Sequence, residues 1–204
     1  MCGRFVLLSD LSVIGETFHI DEFAESVHLT GDRFPGQDIA AIIFNGRRRL
    51  VSFQWGLIPH WAKDPAPKKW INARGETLAV KPSFRDAFRK HRCLIAADGF
   101  YEWDRSSSPK RMIYFQLNSG RPFGMAGLYE IWKPPAGPSV RTCTIVTTAA
   151  NGLIKAIHDR MPVIMPTERE DLWLGADEVS SGLLKELLVP YPSEGMAGKF
   201  LPSA

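Results

Sequence analysis

Cysteine is scarce in this chain of 204 residues, and long apolar runs are missing from it. The three cysteines, Cys2, Cys93 and Cys143, lie far apart and form no C-x-x-C pair. A disulfide framework or a structural zinc site is therefore not expected, and a reducing cytoplasm is the compartment that this composition indicates. No apolar segment reaches the roughly 20 residues that a membrane-spanning helix needs. The start also lacks the apolar core of a secretory signal, so we expect no membrane contact.

A strong charge of one sign is also missing. The formal net charge is +3, and 45% of the residues are hydrophobic, as is typical of a globular domain. Such mild basicity permits binding to nucleic acid but does not argue for it. The sequence contains no Walker loop, no G-x-G-x-x-G and no G-x-S-x-G. We expect no cofactor and no metal, because metal-ligand spacing is missing from His19, His28, His60 and His91.

The apolar pattern predicts many short strands with short helices between them. Leu11, Ile14 and Phe18 recur at helical spacing behind a cap at Ser9 or Asp10. No βαβ rhythm, repeat or linker is visible. We therefore predict one α+β domain over residues 1–204, built on a curled, barrel-like, mainly antiparallel sheet flanked by short helices. We also expect a monomer.

Turn residues predict where the strands reverse. Asn45-Gly46 lies between two strand-like runs and is a strong hairpin signal. Asn118-Ser119-Gly120 lies between two further runs and predicts a second hairpin. Ser83 is predicted to cap a helix in an S-x-x-D pattern with Asp86.

The chain opens MCGRF, which places a small residue directly after the initiator methionine. Methionine aminopeptidases remove Met1 before a small side chain, and the mature chain would then begin at Cys2. An α-amine titrates near ~8 and a lysine near ~10.4, so the amine is far richer in its nucleophilic form at neutral pH. It can form a Schiff base with an aldehyde, and the thiol can close it to a thiazolidine. Alternatively, the amine could activate its own thiol, as in an N-terminal-nucleophile hydrolase.

The stretch WINARGET contains three polar residues in alternation, Asn72, Arg74 and Glu76. If it is extended, all three project to one face and form a polar site. Arg74 suits recognition of a phosphate or a carboxylate. A surface salt bridge between Arg74 and Glu76 is an equally good interpretation of the spacing.

Two further stretches contain groups that could move protons. Glu102 lies in DGFYEW; it is an acid/base candidate if buried, and an ordinary residue if it faces water, which the pattern alone favours. In AIHDRMPVI, His158 could donate or accept a proton. Asp159 could instead cap the chain and pair with Arg160. None of these stretches identifies a site by itself.

The joint order of the motifs is more specific than any one of them. The motifs follow one another between residues 1 and 164: MCGRF, WGLIPHWAKD, NARGET, SFRDAFRKHRCLIAADGFYEW, MAGLYEIW and TIVTTAANGLIKAIHDRMPVI. This succession resembles the SOS response-associated peptidase (SRAP) family of abasic-site processing proteins, and the resemblance runs from Cys2 to about Trp173.

The resemblance implies a protein that binds single-stranded DNA at an abasic site and crosslinks to it through the N-terminal cysteine as a thiazolidine. It also implies an autopeptidase activity that exposes this cysteine. It assigns catalytic roles to Cys2, Asn72, Glu102 and His158, and DNA contacts to Arg4, Trp61, Arg74 and Arg160. In this assignment Asn72 positions the amine or the sugar, Glu102 orients or deprotonates the amine, and His158 helps to open the sugar ring. Arg74 and Arg160 hold phosphates, and Trp61 stacks on bases.

Two segments depart from the family pattern. Residues 33–36 are shortened and lack the asparagine that usually follows the first helix, so a DNA contact by that loop is not carried over to this chain. The tail SEGMAGKFLPSA has no match, which suggests that a closing strand is absent or replaced. Other interpretations remain open: a glutaminase-like amidohydrolase, whose Met-Cys-Gly start is similar, and a non-catalytic binder of single-stranded DNA. A protease acting on other proteins has no substrate-binding signature in this sequence.

Overall fold

The computed structural model describes residues 2–25, 27, 30–63, 69–104, 111–175 and 180–201. The strands in these residues are β1 (Phe5–Leu7), β2 (Glu22–Phe23), β3 (Gly31–Arg33), β4 (Asp38–Phe44), β5 (Arg48–Trp55), β6 (Asn72–Arg74), β7 (Arg92–Ala97), β8 (Gly99–Asp104), β9 (Arg111–Leu117), β10 (Phe123–Trp132), β11 (Val140–Ala149), β12 (Arg160–Pro162), β13 (Ile164–Met165) and β14 (Met196–Phe200). The helices are α1 (Leu11–Phe18), α2 (Arg85–Lys90), α3 (Gly152–Lys155), α4 (Glu170–Leu174) and α5 (Ser181–Glu186), with 3₁₀ turns at Gly75–Thr77, Thr167–Arg169 and Ser193–Gly195. Among the described residues, no helix has the length and apolar character needed to cross a membrane.

Five strands close into a barrel. The pairings run β4-β5-β11-β10-β7 and return to β4. The contact between β5 and β11 is parallel and closes the ring, while the other four barrel pairings are antiparallel. The predicted α+β fold with a barrel-like, mainly antiparallel sheet is therefore confirmed.

Strand β11 is the element that positions most of the site. With ten residues, β11 extends past its pairings with the barrel strands, and further strands pair with the part that extends beyond the ring. Where the pairing of β5 with β11 ends, β6 continues along the same edge of β11 and runs parallel to it. Where the pairing of β10 with β11 ends, β12 continues along the opposite edge and runs antiparallel. The two strands that carry Asn72 and Arg160 thus flank the same end of β11.

A second sheet of five strands, in the order β14-β9-β8-β1-β3, holds the beginning of the chain. β1 pairs antiparallel with β8, with Phe5 opposite Phe100. The backbone N–H of Tyr101 donates to the Arg4 carbonyl at 3.0 Å, which extends this pairing towards the chain start. Cys2 and the end of β8 are therefore held at the same end of the sheet.

The hydrophobic core follows the alternation of the strands. In β5, Val51, Phe53 and Trp55 share the face that points into the barrel, and each is at most 3% exposed. Leu50 points to the other face and packs with α1 and its neighbours. Burying a large apolar side chain contributes roughly 1.5–3 kcal/mol, so these alternating faces supply much of the stability of the barrel.

Several local predictions are confirmed. Helix α1 begins after Asp10, whose carboxylate accepts from the Val13 N–H at 3.0 Å, so Asp10 rather than Ser9 is the cap. The Asn45-Gly46 turn joins β4 to β5, and Gly46 has a φ of 86°, which glycine adopts at low cost. The predicted cap at Ser83 is wrong, because α2 begins after Phe84 and no side chain caps it.

Two predictions about strand pairing are corrected. Residues 118–120 form a turn but not a hairpin, because β9 pairs with β8 and β14 while β10 joins the barrel. A turn signal specifies a reversal and does not specify which sheet the next strand enters. The closing strand, expected to be absent or replaced, is present as β14, which pairs with β9 from Met196 to Phe200.

Candidate active site

Cys2 lies buried at the edge of the barrel core, with no exposed surface. Its carbonyl oxygen accepts a hydrogen bond from Asn72 Nδ2 at 2.8 Å. Its Sγ lies 3.7 Å from the Arg4 carbonyl and donates to it weakly. The residue is therefore fixed in place through its own backbone and through its side chain.

Asn72 owes its position to β6, which pairs in parallel with β11 and sets Asn72 opposite Ile145. Its Nδ2 is used by Cys2, and its Oδ1 is buried without a hydrogen-bond partner in the described part of the chain. A buried acceptor of this kind costs free energy unless a donor reaches it. The amide is thus equipped to accept one further hydrogen bond next to Cys2.

Glu102 faces inwards from β8 and is 4% exposed. The solvent-facing alternative that the sequence pattern favoured is therefore wrong. Burial, and in second place the negative charge of Glu102, raise the pKa of the Cys2 thiol well above its usual range. The sulfur is a neutral thiol at rest, and the carboxylate lies close enough to influence its proton.

His158 lies just before β12 and is almost buried. Its Nδ1 accepts from the Arg160 backbone N–H at 2.9 Å and lies 2.9 Å from Asp159 Oδ1. One ring nitrogen cannot accept from an N–H and donate to a carboxylate at once. In the neutral ring, Nδ1 accepts the hydrogen bond from the Arg160 N–H and Nε2 carries the proton. In the protonated ring, Nδ1 donates to Asp159 instead.

The side chain of Arg160 is held by oxygens of Glu76 and Thr147. Nη1 and Nη2 donate to the two carboxylate oxygens of Glu76 at 2.5 and 2.9 Å, and Nη2 also donates to the Thr147 carbonyl at 2.7 Å. This bidentate bond lowers the pKa of Glu76 below its ordinary value. The alternative pairing of Asp159 with Arg160 does not form, since Asp159 contacts His158 instead.

The predicted alternation of WINARGET stops at Arg74. The strand ends there, and Glu76 lies on the 3₁₀ turn that follows. Glu76 therefore reaches across β11 to Arg160, and the expected salt bridge to Arg74 is replaced by that pair. Arg74 is exposed, and its guanidinium makes no hydrogen bond or ion pair with any described residue.

The other two predicted DNA contacts lie on the surface. Arg4 pairs with Asp32 at 2.6 Å, and its guanidinium lies over the rings of Tyr101 and Phe34 at 4.4 and 5.4 Å. Trp61 is 52% exposed, and its Nε1 donates to the Pro82 carbonyl at 3.4 Å. Half of the Trp61 indole is open for stacking.

The structure thus joins the predicted residues into two small groups. Asn72 touches Cys2, and Glu102 acts on the thiol of Cys2. The second group is His158 and Arg160, which share a hydrogen bond. The roles assigned to these residues stay predictions, because geometry alone does not reveal a reaction.

Sequence reasoning missed two features of this region. It did not identify Glu76 as the partner of Arg160, since a pair separated by 84 positions leaves no local signal. It also passed over Trp103, which is 49% exposed on β8 directly beside the buried Glu102. The alternation in FYEW does not indicate it, because an exposed Trp103 follows only once Glu102 is known to be buried.

Two cavities lie elsewhere. One of about 430 Å³ opens beside α1, and one of about 420 Å³ lies between α1 and the turn after β9. Neither is lined by a predicted site residue. The size of a cavity therefore does not lead to these residues, whereas hydrogen bonds join β6 and β8 to the chain start, from Asn72 to Cys2 and from Tyr101 to Arg4.

Comparison with known proteins identifies relatives over nearly the whole chain. The profile of the family "SOS response associated peptidase (SRAP)" matches residues 1–200. Abasic site processing protein YoqW of Bacillus subtilis is 46% identical over 202 residues, covering 96% of this chain and 90% of the relative. Abasic site processing protein HMCES of Xenopus tropicalis is 32% identical over 170 residues, covering 72% of this chain and 51% of the relative. A crystal structure of a protein from Bacteroides thetaiotaomicron superposes with a TM-score of 0.91 at 26% identity, covering 98% and 92% of the two chains.

Proposed function

Because this chain belongs to the SOS response-associated peptidase family, we propose that it processes abasic sites in single-stranded DNA by forming a covalent crosslink through Cys2. Relatives named abasic site processing proteins support the substrate. The observation that carries the proposal is the 2.8 Å hydrogen bond from Asn72 to the Cys2 carbonyl, with the buried Glu102 acting on the same cysteine.

The reaction needs an aldehyde, an amine and a thiol. An abasic sugar opens to an aldehyde, and the α-amine of Cys2 adds to it and expels water, which leaves an imine. The thiol then adds across the C=N bond: a C–S bond forms, the thiol proton leaves, and the imine nitrogen gains a proton. The product is a thiazolidine, and no oxidant or reductant is consumed.

The predicted site residues supply groups for these proton movements. The neutral thiol does not compete for the aldehyde, so the amine reacts first. We assign to Glu102 the uptake of the thiol proton as the ring closes, and the effect of its charge on the pKa of that thiol supports this role. Asn72 holds the Cys2 backbone, and its open Oδ1 is available to the amine or to a sugar hydroxyl. His158, with a proton on Nε2, serves as a donor to the sugar ring oxygen during opening.

Removal of Met1 is part of the proposal, since an amine on Cys2 exists only after that peptide bond is cleaved. An autopeptidase activity of the same site would use the Cys2 thiol, with Glu102 as its base. A chain purified from a host that lacks methionine aminopeptidase activity separates self-processing from processing in trans.

The test incubates the protein with an oligonucleotide that carries one abasic site and resolves the products on a denaturing gel. We expect a heat-stable, slowly migrating band that is absent with undamaged DNA. Cys2→Ala should remove it. Cys2→Ser keeps the amine and loses the thiol, so it should give a band only when borohydride is added to trap the imine. A heat-stable band with Cys2→Ala would overturn the proposal, and glutamine hydrolysis that depends on Cys2 would favour an amidohydrolase.

A further inference from the structure

We infer that Glu76 is an internal competitor for DNA: in the free protein its carboxylate occupies the position on Arg160 that a backbone phosphate takes when a strand binds. This inference rests on the proposed function, since it assumes that single-stranded DNA is the ligand. It assigns to Glu76 a role in setting DNA affinity.

The contact between Glu76 and Arg160 has the shape of a phosphate contact. Two carboxylate oxygens face the two terminal nitrogens of one guanidinium at 2.5 and 2.9 Å. A phosphate presents two oxygens to a guanidinium in the same parallel arrangement. One anion can therefore replace the other without any change in the geometry of the arginine.

The arginine is prepared to stay in place during such an exchange. Its Nη2 also donates to the Thr147 carbonyl at 2.7 Å, and that bond belongs to β11 rather than to Glu76. Residue Arg160 is only 9% exposed, so its side chain has little room to turn away. When Glu76 leaves, Arg160 keeps its orientation and presents the same two nitrogens.

Glu76, in contrast, is half exposed, and its carboxylate is held mainly by Arg160. Its side chain is 54% exposed at the start of a 3₁₀ turn, and no described residue other than Arg160 forms an ion pair with it. Arg74 lies near enough to contribute to the lowered pKa of Glu76 and has no ion partner of its own among the described residues. A displaced carboxylate can therefore turn into water or towards Arg74.

The position also suits a phosphate next to the lesion. Asn72 touches Cys2, and Arg74 lies two residues further along β6, which is roughly 6–7 Å in a strand. Arg160 crosses to the same end of β11 from the other side. Arg74 thus lies about one nucleotide spacing along β6 from Asn72, the residue that touches Cys2.

The test measures the affinity for an undamaged single-stranded oligonucleotide, so that no crosslink forms. Glu76→Gln should bind about fivefold more tightly, as expected for loss of an exposed ion pair. Asp159→Asn is the matched control, because it also removes one exposed carboxylate beside Arg160 but leaves the bidentate pair intact. Its gain should be smaller and should come from net charge alone.

A double-mutant cycle separates the two explanations. In an Arg160→Gln background, the gain from Glu76→Gln should fall to the size of the gain from Asp159→Asn, which comes from net charge and should remain. If Glu76→Gln keeps its full gain there, Glu76 does not act through Arg160 and the inference is wrong.

Should Arg160→Gln fail to fold, the carboxyl ¹³C signal of Glu76 in the wild-type chain provides the second measurement. Its pKa should rise towards the ordinary value when the undamaged oligonucleotide is added, because phosphate has taken Arg160. An unchanged pKa in the bound state overturns the inference. Neither experiment measures crosslinking, so this inference and the proposed function can fail separately. If the protein crosslinks while Glu76 stays on Arg160, only this inference is wrong. If DNA displaces Glu76 but no crosslink ever forms, only the proposed function is wrong.

Discussion

Two arginine–glutamate pairs in this molecule are chemically alike and behave in opposite ways. Arg48 and Arg160 are similarly buried, at 8% and 9% exposed, and each holds a glutamate at hydrogen-bond distance. Burial raises the pKa of Glu170 to about 7 in spite of Arg48, whereas Arg160 lowers the pKa of Glu76. Glu170 is 2% exposed and the Glu76 side chain is 54% exposed, so desolvation decides the sign.

The difference separates a structural pair from an exchangeable one. Arg48 also donates to the Phe18 carbonyl and to Asp171, so it joins α1, β5 and α4. A buried pair of this kind costs much to break. The pair at Arg160 faces water on one side, and breaking it costs little. The predictions below test this contrast.

The largest effect is expected at Arg48. Arg48→Met leaves Glu170 buried without its cation and should lower the free energy of unfolding by about 3–5 kcal/mol at pH 8. The loss should shrink below pH 7, where Glu170 takes up a proton. Urea denaturation at both pH values measures it. Crosslinking per folded molecule should not change, and a change would mean that the two regions are coupled.

The next effect is the pH dependence of stability. Because the pKa of Glu170 is raised from 4.5 to about 7, the folded chain binds more protons than the unfolded chain between those values. The free energy of unfolding should therefore fall as pH rises through this window, by about 3 kcal/mol at most. Denaturation of Glu170→Gln from pH 4.5 to 7.5 should show a smaller fall. An equal slope in both proteins contradicts the burial argument.

A smaller effect on stability, with a clear effect on reaction, is expected at Asn72. Asn72→Ala loses the hydrogen bond to Cys2 and should cost about 1 kcal/mol of stability. The rate of crosslinking should fall roughly tenfold, since that bond also positions the reacting residue.

Asn118→Ala is the matched control for this change. It removes an amide in the turn after β9 that donates to the Glu194 carbonyl at the same 2.8 Å. It should reduce stability by a similar or smaller amount and leave crosslinking unchanged. If both variants crosslink at the wild-type rate, Asn72 has no role in positioning.

The smallest effect on stability is expected at Glu76. Glu76→Gln should change the free energy of unfolding by less than about 1 kcal/mol, because the pair is half exposed. The pH dependence of this stability contribution is opposite in sign to that of Glu170. Because the pKa of Glu76 is lowered in the folded chain, its contribution to the free energy of unfolding is present above its ordinary pKa and is lost as pH falls through the folded value. A loss as large as that of Arg48→Met would show that the pair is structural.

Local features of the fold could be predicted from the sequence, and long-range pairings could not. The cap at Asp10 and the hairpin at Asn45-Gly46 depend on residues within a few positions, and both are present. The parallel contact that closes the barrel joins Trp55 to Cys143, and nothing near either residue signals it. The hairpin predicted across residues 118–120 is wrong for the same reason, since the turn does not signal which strand β9 pairs with.

The candidate site divides in the same way. Cys2 stands out because its chemistry follows from its position in the chain. The inward face of Glu102 could not be derived, because an alternating strand fixes two faces without saying which is inside. The bond between Glu76 and Arg160 depends on β6 and β12 flanking one end of β11, which only the assembled sheet reveals.

The most direct test of the account is the mass of the N-terminal peptide after reaction with an abasic oligonucleotide. Digestion of the DNA and the protein, without any reductant, should leave a peptide that begins at Cys2 and bears the sugar remnant. Neither its amine nor its thiol should then react with alkylating reagents. A peptide that still begins at Met1, or one that bears the sugar with its thiol free to alkylate, would contradict the central claim that amine and thiol of Cys2 act together.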